Sequence, residues 1–164
     1  MIRIGVISDT HISRKNISKL NKTLNVFSDC YDLIIHTGDF TSFDAVDFLE
    51  ESANIPLIGV AGNMDNPEIH SRFPYKRSLN AEDVKIGIIH GWGSPYDLKE
   101  RIDKEFEDED IIIFGHTHIP SDEYYNNRRF LNPGSATQNR NGLGGSIGIL
   151  EISGKKVVFK VHYL

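Results

Sequence analysis

Ile111-Ile112-Ile113-Phe114-Gly115-His116-Thr117-His118 is an apolar run that breaks at a glycine and then delivers two imidazoles. The same design occurs four times upstream. Ile2 to Ile7 ends in Asp9-Thr10-His11, and Leu33 to Ile35 ends in Gly38-Asp39. Leu57 to Val60 ends in Gly62-Asn63, and Ile86 to Ile89 ends in His90-Gly91. These ends recur roughly every 25 to 30 residues, the length of one strand-crossover-strand unit. Ligands of open α/β sheets gather beyond the carboxyl ends of the strands, so the spacing predicts five loop tips converging on one site.

The segments between and after these runs complete the expected fold. Ile17, Leu20, Leu24 and Phe27 have helical spacing within Arg14 to Phe27. Phe43, Val46 and Leu49 mark a second helix over Phe43 to Glu51, with Thr41 or Ser42 placed to cap it. A third helix is expected to start at Ser94-Pro95 and to bury Leu98, Ile102 and Phe106. The acidic run Glu107 to Asp110 reads as a solvated face beyond it. From Glu123 the pattern changes to hairpins, one turning at Asn126-Asn127 and one at Ser153-Gly154 between Ile147–Ile152 and Lys156–Tyr163. The expected architecture is α/β: a two-sheet β-sandwich flanked by helices, antiparallel towards the C-terminus. With 164 residues and no linker or repeat, it reads as a single domain over 1–164.

Bulk properties narrow the function. A formal charge of −5 argues against a broad nucleic-acid-binding face, so nucleic acid is not the expected partner. The single cysteine, Cys30, excludes an internal disulfide and thiolate-rich metal sites, and reads as packing at a helix end. The N-terminus shows no basic leader, and no apolar run approaches the ~18 residues needed to span a bilayer, so a cytoplasmic location without membrane contact is expected. Surface apolar groups could form a homodimer contact.

The strand ends offer two carboxylates, one amide and four imidazoles: Asp9, Asp39, Asn63, His11, His90, His116 and His118. This nitrogen and oxygen mixture suits Mn²⁺, Fe²⁺, Co²⁺, Ni²⁺ or Zn²⁺ better than Mg²⁺ or Ca²⁺. Seven donors are too many for one ion and about right for two sharing a bridging carboxylate. Two divalent ions, two aspartates and one hydroxide leave a net charge of about +1, which a phosphodiester neutralises. Buried aspartates and imidazoles without a cation would be costly, which disfavours a purely structural reading.

In order and in kind, Asp9-x-His11, Gly38-Asp39, Gly62-Asn63, His90-Gly91 and Gly115-His116-Thr117-His118 resemble the calcineurin-like metallophosphoesterase signature. Asn132-Pro133-Gly134-Ser135 resembles a downstream motif of its small prokaryotic branch, whose fold is similar to the phosphoesterase-like subunit of retromer. The resemblance implies a dinuclear centre, with Mn²⁺ the foremost candidate. Asp9, His11 and His118 would hold one metal, Asn63, His90 and His116 the other, and Asp39 would bridge. Asn63 would also touch a substrate phosphate oxygen. The implied activity is hydrolysis of a small phosphate diester by a metal-bound hydroxide; the alternatives are a phosphomonoesterase and a non-catalytic scaffold of the retromer-subunit type. Many members carry a proton-donating histidine after the asparagine; here that position is Met64. Weak activity on poor leaving groups is therefore expected. Asp65 is a second candidate catalytic group, either orienting a ligand or simply solvated.

Other notable side chains read as structural. His36 is expected as a packed strand histidine, His70 as a solvated loop residue and His162 as part of the last strand. Trp92 is expected in the core, with a pocket floor as the alternative. Tyr124, Tyr125, Arg128 and Arg129 fit the faces of a hairpin, and Asn132 to Ser135 a supporting turn.

Overall fold

The computed structural model describes every residue except 14, 15 and 28–30. The start of the first expected helix and Cys30 therefore lie outside the described residues.

The five apolar runs become strands: β1 (Ile2–Ile7), β2 (Leu33–His36), β3 (Leu57–Gly59), β5 (Val84–Ile89) and β6 (Ile111–Phe114). Five more strands, β4 (Lys76–Ala81), β7 (Ser121–Tyr125), β8 (Arg128–Asn132), β9 (Ser146–Ser153) and β10 (Lys156–Tyr163), complete two sheets. Their orders are β10-β9-β1-β2-β3 and β4-β5-β6-β8-β7. In the first sheet β1, β2 and β3 run parallel and β9 pairs antiparallel with β1. In the second, β5, β6 and β8 run parallel between the antiparallel edges β4 and β7. Parallel central strands point all five ligand-bearing ends the same way.

Strand alternation sorts the core into layers. Ile4, Val6, Ile35, Ile86, Ile88, Ile113 and Leu131 meet between the sheets. On the outer face of the first sheet, Ile7, Ile34 and Phe40 pack with Leu20 of α1 (Leu20–Val26) and with Val46 and Leu49 of α2 (Phe43–Ala53). Across the other sheet, Ile112, Phe114 and Phe130 pack beneath Leu98 and Ile102 of α4 (Leu98–Asp103). The result is an α/β sandwich of helices, two sheets and helices. Both expected hairpins form: Asn126 and Asn127 take φ of 49° and 63° between β7 and β8, and Gly154 takes 58° between β9 and β10.

The structure corrects several local expectations. A 3-10 turn at Ile17–Lys19 precedes α1, so the first helix is shorter than the apolar spacing suggested. Ser42 occupies the N-cap of α2, yet its hydroxyl donates to the Ile12 carbonyl at 2.7 Å instead of capping the helix. Helix α4 begins three residues later than expected, at Leu98 behind the N-cap Asp97. The guanidinium of Arg101 takes the carbonyls of Trp92 and Ser94, which holds Ser94 and Pro95 in a loop. Glu109 is not solvated but buried, accepting from Ser78 Oγ at 2.6 Å beside Lys85. His70 belongs to a short helix, α3 (Pro67–Arg72), which Asn66 caps through the amide of Ile69. His70 and His162 are exposed. His36 is packed as expected, with no exposure and stacked on Phe40 at a ring distance of 3.5 Å.

Candidate metal centre

Each strand delivers its polar residue just beyond its last ladder hydrogen bond, and the loops lock to one another through backbone bonds. Asp9 N–H donates to Gly38 O, His11 N–H to Asp39 O and Gly115 N–H to His90 O, all at 3.0–3.1 Å. Five of the seven expected donors sit at positive φ: Asp9 (50°), His11 (45°), Asp39 (58°), His116 (67°) and His118 (57°). For residues other than glycine this conformation costs about 1 kcal/mol or more each, and it persists where the surroundings hold it, often at functional sites. Crowding leaves no room elsewhere. A side chain at Gly38 (φ 101°) would meet Gly62 and the His90 ring, and one at Gly115 would overlap Ser8 Oγ.

The side chains converge. Asp9 Oδ1 lies 3.1 Å from His118 Nε2, 3.8 Å from His11 Nε2 and 3.9 Å from His90 Nε2. His11 and His118 face each other through Nε2 at 3.2 Å. Asp39 Oδ2 sits between His90 Nε2 at 3.3 Å and His11 Nε2 at 3.7 Å. Asn63 Oδ1 lies 3.1 Å from His90 Nε2 and 3.0 Å from His116 Nδ1. Asp9 with His11 and His118, and Asp9 with Asp39 and His90, each form a cluster compact enough to hold one ion.

Outer contacts fix which atom of each group faces inward. His90 Nδ1–H donates to Thr37 O at 2.8 Å and His116 Nε2–H to Gly93 O at 2.8 Å, leaving His90 Nε2 and His116 Nδ1 with lone pairs towards the centre. Asp9 Oδ2 accepts from Ser8 Oγ at 2.5 Å and from the His116 amide at 3.0 Å. Its Oδ1 is buried and meets no amide or hydroxyl donor among the described residues, only the imidazole of His118 at 3.1 Å. An orphaned carboxylate oxygen in the interior costs several kcal/mol unless a cation or proton meets it.

Electrostatics point the same way. Burial pushes the Asp9 carboxyl up, but His118, His90 and Ser8 overcome it and hold Asp9 below the usual carboxylate range. Burial likewise opposes ionisation of Asp39, and His90 and the Met64 amide reverse the balance. Burial disfavours the His90 imidazolium, yet Asp39, Asp9 and Thr37 O raise its pKa above the ordinary value. Two ionised, nearly inaccessible carboxylates draw positive charge into this pocket, and the donor set suits divalent transition ions.

A family model described as the calcineurin-like phosphoesterase superfamily domain matches residues 2–155. The chain belongs to that superfamily. A probable metallophosphoesterase of Methanocaldococcus jannaschii is 38% identical over 137 residues, covering 82% of this chain and 68% of the relative. A phosphodiesterase of the same organism is 29% identical over 167 residues, covering 94% of this chain and 96% of its own. The fold is also that of Vps29 from Chaetomium thermophilum, with a TM-score of 0.82 at 21% identity over 100% of this chain and 89% of that one. The chain is thus similar to phosphoesterase hydrolases of a superfamily that uses divalent metals.

Within this superfamily site, Asp65 does not face the cluster. Its Oδ2 accepts from the amides of Asp39 (3.0 Å) and Gly62 (2.8 Å), and its Oδ1 from that of Thr41 (2.7 Å). Of the two readings, ligand orientation and solvation, the bonds match the first: Asp65 is a brace that ties two ligand loops together. Burial nonetheless raises its pKa, against the pull of those amides. The Met64 side chain is 60% exposed at the rim, while its amide donates to Asp39 Oδ1 at 2.8 Å. Trp92 is half-buried against the α4 cluster and leans on Tyr75, with ring centroids 5.9 Å apart. Ser135 Oγ donates to Asp9 O at 2.8 Å and Asn132 Nδ2 to Gly115 O at 2.8 Å, so the expected supporting turn braces two ligand loops. The carbonyls of Thr37 and Gly93 escaped sequence reasoning, because a backbone acceptor leaves no mark on residue identity.

Proposed function

We propose that the protein is a dinuclear metal-dependent phosphodiesterase. Asp9, His11 and His118 would hold one divalent cation, Asn63, His90 and His116 the other, with Asp39 shared between them. The observation that carries this reading is Asp9 Oδ1: buried, meeting no amide or hydroxyl donor, and within 3.9 Å of three imidazole nitrogens. When bound, such a pair of ions supplies Lewis acidity towards phosphoryl oxygens and an activated water for in-line attack.

The remaining work falls to this chain's own residues. Thr37 O and Gly93 O hold the His90 and His116 rings in the tautomers that offer lone pairs inward. Asp65 keeps Asp39 and the Gly62-Asn63 loop in register. The amide of Asn63, which is exposed, would meet a phosphate oxygen. Met64 supplies no proton at the rim, which favours esters whose leaving group departs as a stable anion.

Bis-p-nitrophenyl phosphate with Mn²⁺ is the direct test. Turnover should appear on loading and vanish on chelation. An alkyl phosphomonoester hydrolysed as fast as this diester would replace the reading with that of a phosphatase. A second reading, a non-catalytic scaffold, is favoured by the likeness to Vps29 in fold and by the missing proton donor at Met64. Two bound ions without turnover under any first-row metal would support it.

A further inference from the structure

A cleft of about 380 Å³ opens from the candidate metal centre on its His11 and His118 side. Ser135, Thr137, Gln138 and Arg140 continue its wall away from the two imidazoles. Every lining side chain carries a polar group, and no carboxylate is among them. Its volume lies within the range that accepts a small ligand.

Arg140 sets this cleft apart. Among the described residues nine other cations, including Arg101, Arg128 and Arg129, form ion pairs with carboxylates, while Arg77 and five lysines away from this cleft do not. The Arg140 guanidinium has no hydrogen-bond or ion-pair partner among the described residues, in a chain whose formal charge is −5. Its backbone, by contrast, is fixed. Arg140 N–H donates to the His118 carbonyl at 3.0 Å, which ties the arginine to a ligand loop. The preceding residue, Asn139, is buried, accepts from the Ser135 amide at 2.7 Å and donates to Ser146 Oγ at 2.9 Å. A planar five-donor cation thus stands on a braced loop beside the centre with its donors uncommitted.

A larger cleft of about 440 Å³ provides a contrast. It lies at the opposite, amino-terminal ends of β5, β6 and β8, lined by Asp83, Asp110, Arg129 and Lys155. There the signs balance, and Arg129 is spent on Asp122 and on the Val157 carbonyl.

We propose that the cleft from His118 to Arg140 is a subsite for a second anionic group of the substrate, with Arg140 as the specificity-determining residue. The diester taken by this site carries a further phosphate on one arm, as in a nucleoside 5′-phosphodiester that also bears a 3′-phosphate. Arg140 grips that phosphate through paired N–H donors, and the hydroxyl and amide groups of Thr137 and Gln138 line the path of the polar arm. The inference rests on the phosphodiesterase reading and names its substrate class.

Two chromogenic esters with one leaving group isolate the effect: thymidine 5′-(p-nitrophenyl phosphate), and the same compound bearing a 3′-phosphate. The Mn²⁺-loaded protein should prefer the 3′-phosphorylated ester in kcat/KM. Arg140→Ala should reduce that preference at least tenfold, and Arg140→Lys should restore part of it. Calorimetric titration with thymidine 3′,5′-bisphosphate should show a matching loss of affinity in Arg140→Ala. Equal efficiency on the two esters in the parent protein, or an equal fall on both in Arg140→Ala, overturns the subsite. Failure to hydrolyse either ester defeats the phosphodiesterase reading instead. In that event bisphosphate affinity still decides the subsite, and unchanged affinity in Arg140→Ala rejects it.

Discussion

Single side chains divide between those that face the cluster and those that hold them there, and substitution should separate the two. Asp65→Ala leaves three amides without acceptors, each worth about 1–3 kcal/mol when buried. It should lower the urea midpoint markedly and weaken Mn²⁺ binding, although Asp65 contributes no oxygen to the cluster. An unchanged midpoint would show that water replaces the carboxylate. Met64→His should raise turnover of alkyl diesters by about tenfold or more, while p-nitrophenyl esters gain little; equal gains would deny the missing proton donor its role. His36 gives a pH signature. Burial drops its pKa from 6.5 to about 3, so above pH 6.5 it is neutral whether the chain is folded or not. Between 6.5 and 3 only the unfolded chain takes the proton, and stability falls by up to about 1.4 kcal/mol per pH unit. Urea unfolding of metal-free protein at pH 7 and pH 5 should show that loss, and His36→Phe should be less acid-sensitive than its parent. An identical pH dependence in the two proteins would contradict the buried neutral imidazole.

Elements were legible wherever apolar periodicity marked them. The five ligand-bearing runs and the two late hairpins stand out in the sequence because buried strands there are continuous or alternate cleanly. Strand β4 was invisible, since Lys76-Arg77-Ser78-Leu79-Asn80-Ala81 is a polar edge whose register comes from pairing with β5. Helix α3 hid because six residues with one buried side chain, Ile69, have no period to read, although Asn66-Pro67 carried its cap. The late start of α4 follows from a tertiary contact, Arg101 on the Trp92 and Ser94 carbonyls, which local propensity does not encode. Beyond its far end, Arg128 does similar work, donating to Asp103 Oδ1 at 2.9 Å and to the carbonyls of Asp103 (3.0 Å), Phe106 (3.0 Å) and Glu107. Arg128→Ala should therefore cost about 2–4 kcal/mol in denaturant unfolding, with little change in Mn²⁺ affinity. A loss of metal affinity as large as the loss of stability would show that α4 and the cluster are not separable.

Across the molecule, two sheets place their parallel strand ends on one edge, so each contributes donors that neither could assemble alone. Asp9, His11, Asp39 and Asn63 follow strands of one sheet; His90, His116 and His118 follow strands of the other. The residue types and their order along the chain were readable in the sequence. Which strands shared a sheet was not, because pairing between distant segments is decided by packing. A site built across the sandwich couples metal to folding: ions that bind the native state alone stabilise it by about 2.7 kcal/mol at 100 times their Kd. Thermal unfolding should accordingly shift upward with Mn²⁺ and fall back with chelator, and a metal-independent midpoint would argue against a site formed only in the native state. The most direct measurement is the number of Mn²⁺ ions retained per chain, by elemental analysis after equilibrium dialysis, in the parent protein and in Asp39→Ala. Two ions in the parent and at most one in the variant is the predicted result; a parent that retains none, or a variant that still retains two, contradicts it.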